Sequence, residues 1–126
     1  MKGKILIVDD AMFMRRVIRK ALESNGYENI VEAADGQHAL EAYRIEKPDL
    51  VLLDITMPDM SGLDVLEKIL QSDPMAKVIM CSALGQESVV QKALGTGALD
   101  FAVKPFKPEV LMKIVDYHMQ NQESGK

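Results

Sequence analysis

Short apolar runs alternate along the chain with longer segments in which apolar residues recur at helical spacing. Each run is bounded by polar residues, a pattern typical of strands that are buried on both faces. The pattern predicts five strands, at Ile5–Val8, Asn29–Ala34, Leu50–Leu53, Val78–Cys81 and Leu99–Val103, of which the second is the weakest.

A helix is predicted after each of these strands. The first has the clearest apolar face, with i, i+3, i+4, i+7, i+8 spacing at Met14, Val17, Ile18, Ala21 and Leu22. The others are predicted at roughly Gln37–Glu46, around Leu63–Leu70, around Val89–Leu94 and from Pro108 through Val115. Residues typical of helix ends flank them: Gly26 and Gly97 at C-termini, Ser61 as an N-cap and Pro108 in a first turn.

Strict alternation of strand and helix argues for a parallel sheet with helices on both faces and right-handed crossovers. We therefore expect an α/β fold: a doubly wound, five-stranded parallel sheet with five helices. For its strand order we expect the flavodoxin-like 2-1-3-4-5, which makes strands 1 and 3 neighbours. One domain is expected over residues 1–121, followed by a disordered tail at residues 122–126.

Composition narrows the class of protein. The 126 residues fit one domain, and 15 basic against 19 acidic side chains give a net charge of −4, which argues against a dedicated nucleic-acid binder. A single cysteine, Cys81, excludes an internal disulfide framework and fits a reducing compartment. The apolar runs are too short for a signal peptide or a membrane span. We expect a cytoplasmic protein with neither nucleic acid nor membrane as a partner.

Polar residues whose side chains can bind ligands or take part in reactions follow the predicted strands. Asp9 and Asp10 come after strand 1, Asp54 after strand 3, Ser82 after strand 4 and Lys104 after strand 5. Each alone has a simpler role, as a turn former, a helix cap or a solvated loop residue. Ligands of open α/β sheets bind outside the carboxyl ends of the strands, where the strand order reverses. Because all five residues lie at the carboxyl ends of strands, we expect them to line one pocket.

The chemistry of such a pocket follows from its charges. Three carboxylates at close range repel one another unless a cation lies among them. Mg²⁺ prefers a few carboxylates together with water and a phosphate oxygen, whereas an oxygen-only ligand set disfavours zinc or copper. Lys104 offers a positive charge to an anion, and Ser82 offers a hydroxyl donor. A metal, a carboxylate nucleophile, a lysine and a hydroxyl together indicate an aspartyl-phosphate site.

These residues also carry a family resemblance. The chain resembles response-regulator receiver domains over nearly all of residues 1–121, at Ile7–Asp10, Pro48–Pro58, Ser61–Gly62, Ser82–Ala83, Gly97–Ala98 and Phe101–Phe106. Among receivers it is similar to stand-alone chemotaxis regulators, through Phe13–Arg16, Asp54–Pro58 and Cys81–Gln86.

The resemblance implies a phosphoacceptor and a metal site. Asp54 would accept a phosphoryl group from a histidine kinase. Mg²⁺ would be held by Asp10 and Asp54, by Asp9 chiefly through water, and by the backbone carbonyl of Thr56. Such a protein is not an enzyme in the ordinary sense, because it only catalyses its own phosphoryl uptake and autodephosphorylation.

The resemblance also implies a switch. Lys104 would pair with the phosphate, and the Ser82 hydroxyl and the Ala83 backbone N–H would hydrogen-bond it. Movement of Ser82 would free space for Phe101 to turn inward, next to an output face formed by the fourth helix, fifth strand and fifth helix. The Lys104–Pro105 peptide bond is expected to be cis. Phe101 stands where many chemotaxis receivers have tyrosine, so a phenol hydrogen bond is absent.

The function implied is that of a single-domain response regulator of two-component signalling, a monomer. Its expected partners are a chemotaxis histidine kinase, the flagellar motor switch protein and a phosphatase. A stand-alone receiver in a phosphorelay, or one serving as a phosphate sink, is the alternative. A Mg²⁺-dependent phosphohydrolase with an aspartyl nucleophile is disfavoured, because the nucleophile comes from strand 3 and no cap insert exists. An FMN carrier is weaker still, since two aspartates follow strand 1.

Overall fold

The structure is a computed structural model that describes residues 2–124, with side chains as far as Gln120. Its elements alternate as predicted: β1 Ile5–Val8, α1 Met12–Ser24, β2 Ile30–Ala33, α2 Gly36–Glu46, β3 Leu50–Asp54, α3 Gly62–Ser72, β4 Val78–Ser82, α4 Glu87–Thr96, β5 Asp100–Val103 and α5 Pro108–Ser124. Strand and helix periodicity therefore identified every one of these elements.

The strands form one parallel sheet in the order β2-β1-β3-β4-β5, which confirms the predicted doubly wound topology. The register brings the carboxyl ends together, because Val8 pairs with Leu53 and Ser82 pairs with Val103. The strand order reverses between β1 and β3. The aspartates that end or follow these two strands therefore lie side by side.

Alternate strand residues face two separate hydrophobic clusters. On one face, Leu6, Val8, Leu53 and Met80 pack against buried residues of α2, α3 and α4. On the other face, a second set packs against α1 and α5: Ile5, Ile7, Leu50, Leu52, Ile79 and Cys81. Both faces of the inner strands are dry, which explains why these strands read as continuous apolar runs.

The observed bounds differ from the predicted ones by one or two residues at several ends, and α5 extends to Ser124, beyond the predicted Val115. Asp54 and Ser82 are the last residues of β3 and β4, not the first residues after them. The hydrogen-bond ladder continues past the apolar side chains, since Ile55 N–H donates to the Cys81 carbonyl at 3.2 Å and Lys104 N–H to the Ser82 carbonyl at 2.7 Å. Pairing uses the backbone, so polar side chains at the strand end do not interrupt it.

The helix ends follow the predicted signals. The Ser61 hydroxyl accepts from the Asp64 N–H at 3.2 Å, and Gly26 and Gly97 have positive φ after α1 and α4.

The backbone of α5 is helical to Ser124, whereas residues 125 and 126 and the side chains from residue 121 lie outside the described part. The tail at residues 122–126 therefore stays a prediction. Within residues 2–124, no helix has the length and apolar character needed to cross a membrane.

Candidate functional site

Three carboxylates meet at the carboxyl edge of the sheet. Asp9 follows β1, Asp10 comes next, and Asp54 ends β3, and one ligand oxygen from each lies within 4.8 Å of the others. Asp9 and Asp54 are buried, at 1% and 7% exposure, whereas Asp10 is exposed. The cluster predicted from the strand ends is thus present, with one of its carboxylates open to solvent.

Lys104 reaches into this cluster from the end of β5. Its Nζ lies 2.7 Å from Asp9 Oδ2 and 3.1 Å from Asp54 Oδ1, and the lysine side chain is 20% exposed. The following peptide bond, Lys104–Pro105, is cis, as predicted. Among the described residues, every buried polar side-chain atom has a hydrogen-bond partner, so the two buried carboxylates are held by the lysine and by nearby backbone.

Burial and neighbouring charges act in opposite directions on the pKa values of Asp54 and Lys104. Burial raises the pKa of Asp54, the charge of Asp9 adds to that rise, and Lys104 counteracts it. Burial alone lowers the pKa of Lys104, but its hydrogen bond to Asp9 and the two carboxylate charges outweigh burial, so the pKa is raised. Lys104 therefore stays cationic at neutral pH and remains the counter-ion of both carboxylates.

The donor set fits a hard divalent cation. Carboxylate oxygens are the ligands that Mg²⁺ prefers, and an exposed one such as that of Asp10 leaves room for the waters that Mg²⁺ retains. Among the described residues, this group of candidate ligands contains no histidine or cysteine. Thr56, whose backbone carbonyl is a predicted ligand, lies two residues after Asp54 in the β3–α3 loop. Its role stays a prediction.

The predicted switch residues line a small cavity beside the cluster. Ser82 is buried at the end of β4, and Phe101 on β5 is 39% exposed. Both line a cavity of about 100 Å³ together with Leu84 and Val90. There is thus space next to Phe101, on the side of Ser82, as an inward rotation of the ring would need. The Ala83 N–H donates to Gln86 Oε1 at 2.6 Å.

Two residues that bear on the site were not predicted. The Asp59 carboxylate accepts from the N–H groups of Gly36 at 2.9 Å and Gln37 at 3.0 Å, and so ties the β3–α3 loop to the start of α2. Asp59 lies five residues after Asp54, and a loop aspartate is a common helix cap, but its remote partner has no sequence signal. Gln86 has no signal either, because glutamine is ordinary at a helix start.

A larger cavity of about 630 Å³ lies away from this edge, between α2 and α3. Tyr43, Ile69 and Asp73 are among its lining residues, and the Tyr43 hydroxyl donates to Asp73 at 2.6 Å. None of the three clustered aspartates lines it. Cavity size and site chemistry therefore point to different places, and the chemistry lies at the acidic edge.

Fold and site together define a class: doubly wound α/β domains with an acidic, lysine-neutralised pocket where the strand order reverses. The model of the response regulator receiver domain matches residues 5–116, and the chain belongs to that family.

Similar proteins agree in sequence and in structure. The chain is 48% identical over 116 residues to the chemotaxis protein CheY of Bacillus subtilis (strain 168), covering 92% of this chain and 97% of that protein. A receiver domain protein (CheY-like) from Methanospirillum hungatei superposes with a TM-score of 0.93 and 31% identity over all of both chains.

A third similarity is to the CheX–CheY–BeF3–Mg²⁺ complex from Borrelia burgdorferi, with a TM-score of 0.85 and 40% identity, covering 89% of this chain and 85% of that one. The chain is thus a CheY-like response regulator of the receiver-domain family.

Proposed function

We propose that this response regulator acts in chemotaxis: a histidine kinase phosphorylates Asp54 in the presence of Mg²⁺, and phosphorylation changes the affinity for the flagellar motor switch protein. The main observation in support of this proposal is the geometry around Asp54. Its carboxylate lies within 4.8 Å of ligand oxygens from Asp9 and Asp10, and 3.1 Å from Lys104 Nζ. A nucleophile, a site for a hard cation and a fixed positive charge therefore converge on one point.

The proposed reaction is a simple displacement at phosphorus. A carboxylate oxygen of Asp54 forms the new bond, while the bond from phosphorus to the donor imidazole nitrogen breaks and its electron pair stays on that nitrogen. Lys104 stabilises charge on the phosphoryl oxygens. Asp9, Asp10, Asp54 and the Thr56 carbonyl would hold Mg²⁺, which would supply further charge neutralisation. Water later hydrolyses the acyl phosphate, which restores the carboxylate and releases inorganic phosphate.

The proposed switch uses the cavity beside Phe101. A phosphoryl group adds about −1.5 to −2 charges and three acceptor oxygens. The Ser82 hydroxyl and the Ala83 N–H are donors close to the strand end where these oxygens would lie. Movement of Ser82 toward them enlarges the cavity of about 100 Å³ and lets the half-exposed ring turn inward. The face of α4, β5 and α5 then presents a different surface.

The similar proteins support this proposal. One relative is a chemotaxis protein CheY, and a solved structure holds CheY with CheX, BeF3 and Mg²⁺. That complex supports Mg²⁺ and a protein partner here. We place the kinase, the motor switch and a phosphatase in the same circuit, with the chain as a monomeric phosphoacceptor and not a turnover enzyme.

Phosphoryl transfer is tested with acetyl phosphate and Mg²⁺, followed by separation of phosphorylated from unmodified chain. Wild type is expected to be modified, and Asp54→Asn to stay unmodified, because the amide cannot act as the nucleophile. Asp64→Asn, the same change at an exposed position of α3, is the matched control and should be modified as wild type is. An unmodified wild type, or equal labelling of Asp54→Asn, contradicts the proposal.

The chemotaxis assignment needs a second experiment. Binding of a motor-switch peptide is measured with and without beryllofluoride, which mimics the phosphoryl group on Asp54. Tighter binding with beryllofluoride supports the motor switch as the output. Equal binding in both conditions favours a phosphorelay or a phosphate sink, provided that beryllofluoride itself binds.

A further inference from the structure

The loop between β4 and α4, residues 83–86, folds back on itself through a side chain. Gln86 Oε1 accepts from the Ala83 N–H at 2.6 Å, and Gln86 Nε2 donates to Thr56 Oγ1 at 3.0 Å. Gly85, with φ of +90°, makes the turn that brings the two ends together. One glutamine thus joins the loop after Ser82 to the loop after Asp54.

The Gln86 side chain has no role in its own helix. Gln86 is the N-cap residue of α4, but its side chain makes no capping hydrogen bond. The side-chain amide instead uses both of its ends on the loops of the site. Because the carbonyl end of the amide accepts one hydrogen bond and its nitrogen donates the other, the amide is held in one orientation. Helix formation therefore does not explain this arrangement.

The same N–H cannot serve two acceptors well. The proposed function gives the Ala83 N–H to the phosphoryl group on Asp54, yet Gln86 Oε1 already occupies that donor. A backbone N–H has a single hydrogen, and a phosphoryl oxygen is a stronger acceptor than an amide oxygen because it is charged. Phosphorylation therefore has to displace Gln86.

We propose that Gln86 is a latch: its side chain occupies the Ala83 N–H, holds the β4–α4 loop to Thr56 in the unphosphorylated state, and is displaced by the phosphoryl group. This inference rests on the proposed function and concerns the regulation of the same site. Gln86 is a positioning residue, because it acts through Ala83 and Thr56 and touches none of the three carboxylates in a described hydrogen bond.

Release of the latch has a structural consequence at the start of α4. The displaced side chain loses both of its hydrogen bonds, so the segment from Leu84 to Glu87 is freed from the β3–α3 loop. Leu84 and Glu87 line the cavity that also contacts Phe101. The latch therefore links occupancy of the Ala83 N–H to the shape of the cavity that the switch requires.

The test compares Gln86→Met with Gln71→Met, an exposed glutamine of α3. Methionine keeps the length and helix propensity of the side chain but removes both hydrogen bonds. The dissociation constant of beryllofluoride is measured by calorimetry at saturating Mg²⁺. We expect Gln86→Met to bind roughly 3- to 10-fold more tightly, the range of one net hydrogen bond. Gln71→Met should bind as wild type does.

A second variant separates the latch from a general loosening of the loop. Thr56→Val removes only the acceptor of the Gln86 amide, so it should tighten beryllofluoride binding less than Gln86→Met does. The double variant should bind no more tightly than Gln86→Met alone, because the two changes break one latch. In amide spectra, the Ala83 resonance of Gln86→Met should differ from that of the wild type, and the wild-type resonance should shift on addition of beryllofluoride.

Three results would overturn the latch. They are equal or weaker beryllofluoride binding by Gln86→Met, an Ala83 resonance that Gln86→Met does not move, and additive effects in the double variant. Each of these is read against a wild type that binds beryllofluoride. A wild type that does not bind it at all contradicts the proposed function instead, so the two failures are distinguishable.

Discussion

Asp54 is a carboxylate that the fold holds at a cost. It is 7% exposed and lies beside the buried carboxylate of Asp9, with one lysine between them. Burial raises its pKa, and the negative charge of Asp9 raises it further. Lys104 offsets only part of this, since it is the counter-ion of two carboxylates. The residue best placed for chemistry is therefore not the one that stability alone would select.

Asp54→Asn should stabilise the chain when divalent cations are removed. A raised pKa means that folding favours the protonated carboxyl, so the wild type loses stability as pH rises through the pKa of Asp54. The neutral amide carries no such loss. At pH 7 in chelator, we expect a gain of roughly 0.5–2 kcal/mol in the free energy of unfolding, measured by urea denaturation.

The gain from Asp54→Asn should shrink as pH falls below the pKa of Asp54, because the wild-type carboxyl is then protonated. Glu67→Gln, at an exposed position of α3, should change stability little at any pH. A gain that is the same at pH 7 and in acid would show that charge repulsion is not its source.

At this scale, the sequence was informative where chemistry coincides with a strand end. Asp9, Asp10, Asp54, Ser82 and Lys104 could be found because a doubly wound sheet brings strand ends together whatever the side chains are. Gln86 could not, because its contacts depend on a turn at Gly85 and on the orientation of an amide. Such contacts are sensitive to shifts of a few tenths of an ångström, and hydrophobic periodicity cannot predict positions that finely.

Elements are held at the site by close backbone contact as well as by side chains. Gly62 starts α3 and its N–H donates to the Ile55 carbonyl at 2.7 Å. A Cβ atom on Gly62 would collide with the Asp54 carbonyl oxygen and lie 2.8 Å from Ile55 Cα. Both are backbone atoms, which cannot rotate away. The start of α3 therefore packs directly on the strand end that carries Asp54.

Gly62→Ala should both destabilise the chain and impair the site. We expect a loss of about 1–3 kcal/mol in the free energy of unfolding, as for other overpacked positions, and slower modification by acetyl phosphate because Asp54 shifts. Gly95→Ala is the matched control, since open space surrounds that position in α4. It should raise stability by up to about 1 kcal/mol and leave modification unchanged. Equal effects of the two substitutions would refute the contact argument.

A second contact between elements fixes α1 on the edge of the sheet. Glu32, on the edge strand β2, accepts from Arg15 Nε at 2.9 Å and also pairs with Arg19, and both arginines lie on α1. Burial raises the pKa of Glu32, but the hydrogen bonds from Arg19 and Arg15 outweigh burial, so its pKa is lowered. A lowered pKa means that folding favours the charged carboxylate.

Glu32→Gln should cost about 1 kcal/mol at pH 7, after allowance for screening by solvent. Because the pKa is lowered, this contribution is complete above the ordinary value of 4.5 and is lost as pH falls through the lower value of the folded state. The stability gap between wild type and Glu32→Gln in urea denaturation should therefore close in acid. Glu28→Gln, at an exposed position in the loop before β2, should have the same free energy of unfolding as the wild type at either pH. A gap that persists in acid contradicts the ion-pair explanation.

The existence and order of the helices and strands could be predicted because periodicity and end signals agree, but apolar spacing alone placed several helix ends short, by nine residues at the end of α5. The Ser61 cap and the glycines after α1 and α4 act as expected. The strand ends could not be predicted as well, since Asp54 continues the backbone ladder although its side chain is polar. The ion pairs between Glu32 and α1 depend on how the helix lies across the sheet. The hydrophobic pattern of a single helix or strand does not predict that orientation.

The whole molecule brings together residues that are far apart along the chain. The two hydrophobic clusters fix five helices on opposite faces of one sheet, and the sheet order places β1 next to β3. Asp9 and Asp10 then meet Asp54 only in the folded chain. Alternation predicted the parallel sheet and its right-handed crossovers, whereas the strand order followed from taking the flavodoxin-like arrangement, one of two common doubly wound orders. The site is therefore a product of the complete fold, and a cation bound there is linked to global stability.

If Mg²⁺ binds this cluster, it binds the folded chain far more tightly than the unfolded one, and it must stabilise the fold by mass action. At a free concentration of 100 times its dissociation constant, the gain in the free energy of unfolding is about 2.7 kcal/mol, measured by urea denaturation with and without chelator. Asp10→Asn should abolish most of this gain while leaving the metal-free fold intact, because Asp10 is exposed. Glu67→Gln should keep the full gain. Equal stabilisation of wild type and Asp10→Asn would place the cation elsewhere on the molecule.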